Sequence, residues 1–166
     1  MKNLLFICYF FFSIHSLYPQ SRSESIAITG NVEIPLNLTI KDLQQMNVVS
    51  GTDFKVVNTS GEIRKEFKTY KGVLLNELLD KAKIVLQSPK EKGKIYFVAT
   101  ATDGYTAIFS YHEIFNNPAG DKVLVLFEEN GKTIDKDGVF VLIAGTDKIT
   151  GARHVKWLKS IEVKKL

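Results

Sequence analysis

The sequence predicts an α+β domain: a mixed, mostly antiparallel sheet carrying short helices. Three observations support this. Short runs with strand period outnumber runs with helix period, the two kinds do not alternate in regular βαβ order, and Gly-containing turn pairs recur between the runs.

Residues Ser25 to Val32 alternate through Ile26 and Ile28, as a half-buried strand does. Thr39 then opens TIKDLQQM, where its hydroxyl can cap a short helix and Asp42 falls three residues on, near the positive end of the helix. Asp53 to Asn58 and Glu66 to Tyr70 read as strands parted by the turn Thr59-Ser60-Gly61. Leu74 to Ala82 places Leu74, Leu75, Leu78, Leu79 and Ala82 on one helical stripe. Lys94 to Ala101 is a strand, Asp103-Gly104 a tight turn, and Tyr105 to Phe109 the returning strand. Tyr111 to Phe115 predicts a helical turn ended by Asn116, Asn117 and Pro118. Lys122 to Glu128 and Val139 to Ile143 are strongly β-forming, with turns at Asn130-Gly131 and Asp137-Gly138 between them. The last run alternates from Val155 through Trp157, Ile161 and Val163, which predicts a strand with the indole in the core and His154 and Lys156 on the opposite face.

The first residues read as an export leader. One early lysine precedes the apolar run Leu4 to Phe12, which is followed by small or polar residues, so a signal peptide over 1–22 with cleavage between Ser16 and Ser23 is expected. The mature protein would then be a single periplasmic or secreted domain over 23–166, with no membrane span. The only cysteine, Cys8, lies in the leader, which excludes disulfides, thiolate catalysis and cysteine ligation from the mature chain. Net charge is +4 and falls to about +3 without Lys2, or to +2 for 23–166, which also lacks Arg22, a mild excess that does not imply nucleic acid.

Two stretches near the end, VLVLFEENGKTIDKDG and GARHVKWL, closely resemble the end of the molybdopterin-binding domain of sulfite oxidase. KGVLLNELLDKA, with Gly72, Leu75, Leu78 and Leu79, is similar to the family's G-x-x-L-x-x-L-L segment, and TDGYTAIFSYHEI, with Gly104 and Tyr105, fits as well. The resemblance covers roughly residues 35 to 163. It implies the sulfite oxidase type of fold, and it implies that Arg153, His154, Val155 and Lys156 contact the pterin phosphate, with Ser60, Asp103 and Tyr105 lining the pocket. Charge-assisted hydrogen bonds from a basic side chain and backbone N–H groups suit a phosphate.

Three departures separate the chain from a molybdenum enzyme. The stretch that matches the family's metal-ligating cysteine is VVNTSGEIRK, where Ser60, Gly61 and Glu62 offer hard oxygen donors in place of a soft thiolate. DGVFVL, from Asp137 to Leu142, has neither the histidine nor the arginine that contacts the pterin in the family. The leader lacks the paired arginines of the route that exports folded, cofactor-loaded proteins.

Other chemistries find little support. His112 and His154 lack the spacing of a zinc pair, Ser60 has no G-x-S-x-G context, and the adjacent Glu128 and Glu129 point to opposite strand faces, so they cannot share a proton. The expectation is an exported module of this fold without molybdenum catalysis, binding a small anionic ligand or a protein partner. No cofactor or metal is expected, although the resemblance itself implies molybdopterin. The alternatives are a molybdopterin-dependent oxidoreductase using Ser60 or Glu62 as a substituted ligand, and a structural domain whose pocket is filled by side chains.

Overall fold

The computed structural model describes residues 23–166, and the expected leader, with Cys8, lies outside the described residues. Among the described residues ten strands form two five-stranded sheets. The first holds β1 (Ile26–Gly30), β2 (Leu36–Leu38), β5 (Ile95–Ala101), β6 (Thr106–Ser110) and β10 (Leu158–Lys165) in the order β2-β1-β10-β5-β6. The second holds β3 (Val49–Val57), β4 (Ile63–Leu74), β7 (Val123–Glu129), β8 (Lys132–Thr133) and β9 (Val141–Ala144), with β4 on one side of β7 and both β8 and β9 on the other. Among the described residues only β1 with β10 pairs in parallel; every other pair of these strands is antiparallel. The α+β class with a mostly antiparallel, mixed arrangement is therefore present as expected.

The helices are short and locally specified. In α1 (Ile40–Gln44) the Thr39 hydroxyl accepts from the Asp42 N–H at 3.4 Å, and the Asp42 carboxylate accepts from the Thr39 N–H at 2.8 Å, closing a capping box. In α2 (Leu75–Ala82) the stripe Leu75, Leu78, Leu79 and Ala82 is fully buried, facing the main core. In α3 (Tyr111–Phe115) the Ser110 hydroxyl accepts from the Glu113 N–H at 3.1 Å. Gly72 is required by packing: a Cβ there would meet the Val125 carbonyl oxygen at 2.4 Å, beside the register shift where β4 passes from Lys71 to Gly72.

The central strands are buried on both faces, which explains their unbroken apolar runs. Val123, Val125, Phe127, Leu142 and Ala144 face the main core, while Leu124, Leu126, Val141 and Ile143 face a second cluster with Phe54, Val56, Phe67 and Ile134. β3 and β4 run well beyond the lengths read from the sequence, because strand pairing carries them through Val49 to Thr52 and through Lys71 to Leu74, where local alternation is weak.

β3 is an edge strand, and Thr150 covers its end. Its hydroxyl accepts from the Val57 N–H at 2.8 Å and donates to the Lys55 carbonyl at 2.6 Å, replacing a missing strand partner. Thr150→Val keeps the shape but strips both backbone groups of their partner, so urea denaturation should show a loss of about 2 kcal/mol. A loss within a few tenths would mean that water serves these groups equally well.

The final segment departs from its expected form. Residues Thr150–Arg153 make a 3-10 turn, Val155 pairs through both backbone groups with Leu142 at 2.9 Å, and the strand begins only at Leu158. Trp157 adopts φ +46, and this reversal takes its side chain out of the alternation. The inward positions are Val155, Leu158, Ile161 and Val163, so the expected burial of Trp157 is corrected: its place in the core belongs to Leu158.

Candidate functional site

The 3-10 turn and the irregular segment after it bring residues 151–157 against the turn that follows β5. Between them lies a cleft of about 250 Å³ lined by Asp103, Tyr105, Gly151, His154, Lys156 and Trp157. Each wall has a local cause. Asp103 Oδ1 accepts from the Tyr105 N–H at 3.0 Å, closing the hairpin turn, and the Tyr105 hydroxyl reaches across to donate to the Ala152 carbonyl at 2.7 Å. Trp157 is fixed from both sides, its N–H donating to the Asp137 carbonyl at 2.6 Å and its carbonyl accepting from the Thr102 N–H at 3.0 Å. A left-handed backbone at a bulky residue is strained, and these two bonds hold it there. Gly138, itself at φ +88, lets the indole pass, since a Cβ on it would meet Trp157 Cα at 2.6 Å.

His154 is 7% exposed, its ring standing edge-on to Phe67 at 5.8 Å, and its Nε2 has no hydrogen-bond partner. Burial pushes its pKa down to about 4 against the opposing pull of Asp137, so the imidazole is neutral at physiological pH. Lys156 is half-exposed and pairs with Asp137 at 3.0 Å. Asp137 is buried and also accepts from Lys65 at 2.6 Å; burial raises its pKa, but the hydrogen bonds from Lys65 and Lys156 outweigh this and hold the carboxyl below its ordinary value.

Asp103, Tyr105, His154 and Lys156, singled out from the sequence, thus share one cleft. Three other candidates stand elsewhere. Arg153 turns away: its guanidinium lies over the Phe109 ring at 4.5 Å and bonds to Asp147 at 2.5 and 2.8 Å and to Glu113 at 2.6 Å. Those carboxylates keep it charged and occupied. Val155 is fully buried in the main core. Ser60 is exposed in a turn closed by Asn58, whose Oδ1 accepts from the Ser60 N–H at 3.0 Å and the Glu62 N–H at 2.9 Å. It lines neither the cleft nor the neighbouring hollow of about 280 Å³ that shares Gly151. Larger hollows occur on the surface, such as one of about 390 Å³ beside Tyr70, but its two charged residues, Lys71 and Glu128, pair with each other at 2.9 Å.

Sequence reasoning missed Trp157, Asp137 and Lys65. The indole was hidden by an apolar period that it interrupts. Asp137 and Lys65 lie 72 residues apart in the chain, and no local pattern ties them.

The match to known families now bears on this geometry. The family described as "oxidoreductase molybdopterin binding domain" matches residues 15–166. The chain belongs to this family. Among solved structures this molybdopterin-binding domain is similar to the sulfane dehydrogenase SoxCD from Paracoccus pantotrophus, at 23% identity and a TM-score of 0.65 over 86% of this chain. The match takes in 39% of the SoxCD chain, and likeness at that identity speaks for the fold, which is the sulfite oxidase type. No curated protein matches the chain.

The residues present do not fit the family's molybdenum-pterin group. Where the resemblance places a thiolate, the Asn58 turn offers Ser60, whose backbone is tied to Asn58, and Glu62, already paired with Arg64 at 2.8 Å. Neither is a soft ligand. Among the described residues no three His, Cys, Asp or Glu side chains gather to hold a metal. The two cations that would meet the phosphate, Arg153 and Lys156, both face carboxylates of the chain itself.

Proposed function

We propose that this molybdopterin-binding-family domain is a small-molecule-binding module that does not run molybdenum chemistry. The observation that carries the reading is the split between its two halves: the stretch that the resemblance matches to the metal ligand is a closed, exposed turn at Asn58 to Glu62, while the cleft holds a convergent set of binding groups. Trp157 offers a flat apolar wall, Lys156 a half-exposed ammonium held by Asp137, and neutral His154 both a donor and an acceptor. Asp103 and the Tyr105 hydroxyl complete the rim. None of the lining side chains is a serine, threonine or cysteine, so the cleft holds no hydroxyl or thiol nucleophile beyond a phenol. Residues 1–22 are proposed to direct export, and 23–166 to fold as one unit that acts outside the cytoplasm.

Protein purified from its native compartment should carry no stoichiometric molybdenum by elemental analysis and no pterin fluorescence after oxidation. Near-equimolar metal with pterin would overturn the reading in favour of an oxidoreductase ligated through Ser60 or Glu62. If both groups are missing, mass spectrometry of small molecules released on denaturation should show a species lost in a Trp157→Ala variant; the same species at the same amount would place binding outside the cleft.

A further inference from the structure

Two lysines from distant parts of the chain converge on one buried carboxylate beside the cleft. Lys65 Nζ donates to Asp137 Oδ2 at 2.6 Å, and Lys156 Nζ lies 3.0 Å from Oδ1, so each oxygen has its own cation. Asp137 is 6% exposed, and a second carboxylate, Glu129, takes another contact from Lys65 at 2.5 Å. This is how a protein holds a bound oxyanion between two ammonium groups. Here the oxyanion is a side chain. The same residue fixes the cleft wall, because its backbone carbonyl accepts from the Trp157 N–H at 2.6 Å. Next to it lies His154, buried and with its Nε2 unpartnered, which adds no positive charge.

The consequence is one of charge balance. Lys65 and Lys156 are offset by Asp137 and Glu129, so the cluster beside the cleft is neutral before any ligand arrives. A phosphate or sulfate group drawn to Lys156 would approach a buried carboxylate and compete with it for the same ammonium. Repulsion of that kind is strong away from water, and it is a common way for a site to reject a charged competitor.

We propose that Asp137 is a resident counter-anion: it fills the anion seat between Lys65 and Lys156, so that the adjoining cleft rejects phosphate- and sulfate-bearing molecules and takes an uncharged or zwitterionic ring-bearing ligand against Trp157. This rests on the reading of the cleft as a small-molecule site and specifies what that site accepts. It also replaces the anionic ligand expected from the sequence, since the basic groups that suggested it are spoken for within the chain.

The test empties the seat. Asp137→Ala leaves room for a small oxyanion between the two lysines, and the probes are formate and inorganic phosphate, with chloride at matched ionic strength as the baseline. In titration calorimetry and thermal melts of the mature chain, the variant should bind formate and phosphate saturably and about tenfold or more tightly than the parent. The parent should show only the general salt shift shared with chloride. The double variant Asp137→Ala/Lys156→Ala should return to the parent's response, and the fluorescence of Trp157, the chain's single tryptophan, reports occupancy locally. A parent that binds phosphate as tightly as the variant would overturn the proposal, as would a folded variant that gains no affinity. If Asp137→Ala is unfolded without an anion, recovery of a cooperative melt in formate or phosphate but not in chloride supports the seat, and no recovery sinks it. None of these outcomes depends on which molecule co-purifies with the protein, so this proposal and the ligand-binding reading fail separately.

Discussion

Between pH 7 and pH 4 the unfolding free energy of this domain should fall by about 3 kcal/mol through the titration of a single side chain, His154. Its folded pKa is pushed from 6.5 to about 4 by burial. As pH falls through 6.5 the unfolded chain takes up a proton that the folded chain refuses, so the unfolded state gains. The contribution is complete above pH 6.5, is lost on the way down to about 4, and does not change further below both values. The groups that face the ring are Phe67, which offers no charge, Asp137, which favours the imidazolium, and Lys156 and Lys65, which oppose it. Asp137 is itself held below 3.8, so its own contribution persists above that value and is lost only in more acid solution, outside the histidine window. Urea denaturation at steps between pH 7 and 4 measures the slope, and His154→Gln, which cannot titrate, should flatten it. An unchanged slope in that variant would assign the pH dependence to other groups.

The fold was legible wherever a local signal and the tertiary demand agree. The capping box at Thr39, the α2 stripe from Leu75 to Ala82 and the Asp103-Gly104 turn lie where the sequence placed them, because each is specified within a few residues, whereas Leu74, expected on that stripe, ends β4 and packs on the second cluster. Strand ends were less legible. Gly72 to Leu74 belong to β4 because they pair with Leu124 to Leu126, and nothing within the segment announces that partner. The last strand shows the opposite failure, where a clean apolar alternation misled. Trp157 has the right spacing for the core, yet its left-handed backbone, fastened by Asp137 and Thr102, hands that place to Leu158.

The cleft was half legible for a related reason. GARHVKWL stands out by composition, and the family resemblance ranked its residues, but side-chain direction within a 3-10 turn is not readable from spacing. Arg153 leaves for Asp147 and Glu113, while His154 goes inward against Phe67. Electrostatics was the least visible layer. Whether Lys156 is a free cation or a satisfied one depends on Asp137, and Asp137 depends on Lys65 from another strand. A sequence shows how many charges a chain carries, and only the fold shows which of them are already spent on each other.

Phe67 links that site to the rest of the molecule, and its loss should have the largest effect on stability. The ring is fully buried in the second core cluster, 5.8 Å from Phe54 and 5.8 Å from His154, with Lys65 Nζ 4.5 Å above its centroid. Truncating a buried phenylalanine removes its transfer free energy and leaves a cavity, together about 3–5 kcal/mol, so Phe67→Ala should unfold at markedly lower urea. The site should respond as well as the core. Without the ring, the wall that keeps His154 dry opens, the imidazole regains solvation, and the drop in stability between pH 7 and 4 should shrink. Phe67→Ala and His154→Gln should then be non-additive, with a coupling of about 0.5–3 kcal/mol, the range typical of side chains in contact. Additive losses together with an undiminished pH slope would show that His154 is kept neutral by the cleft side alone, and that the second core supports the site mechanically but not electrostatically.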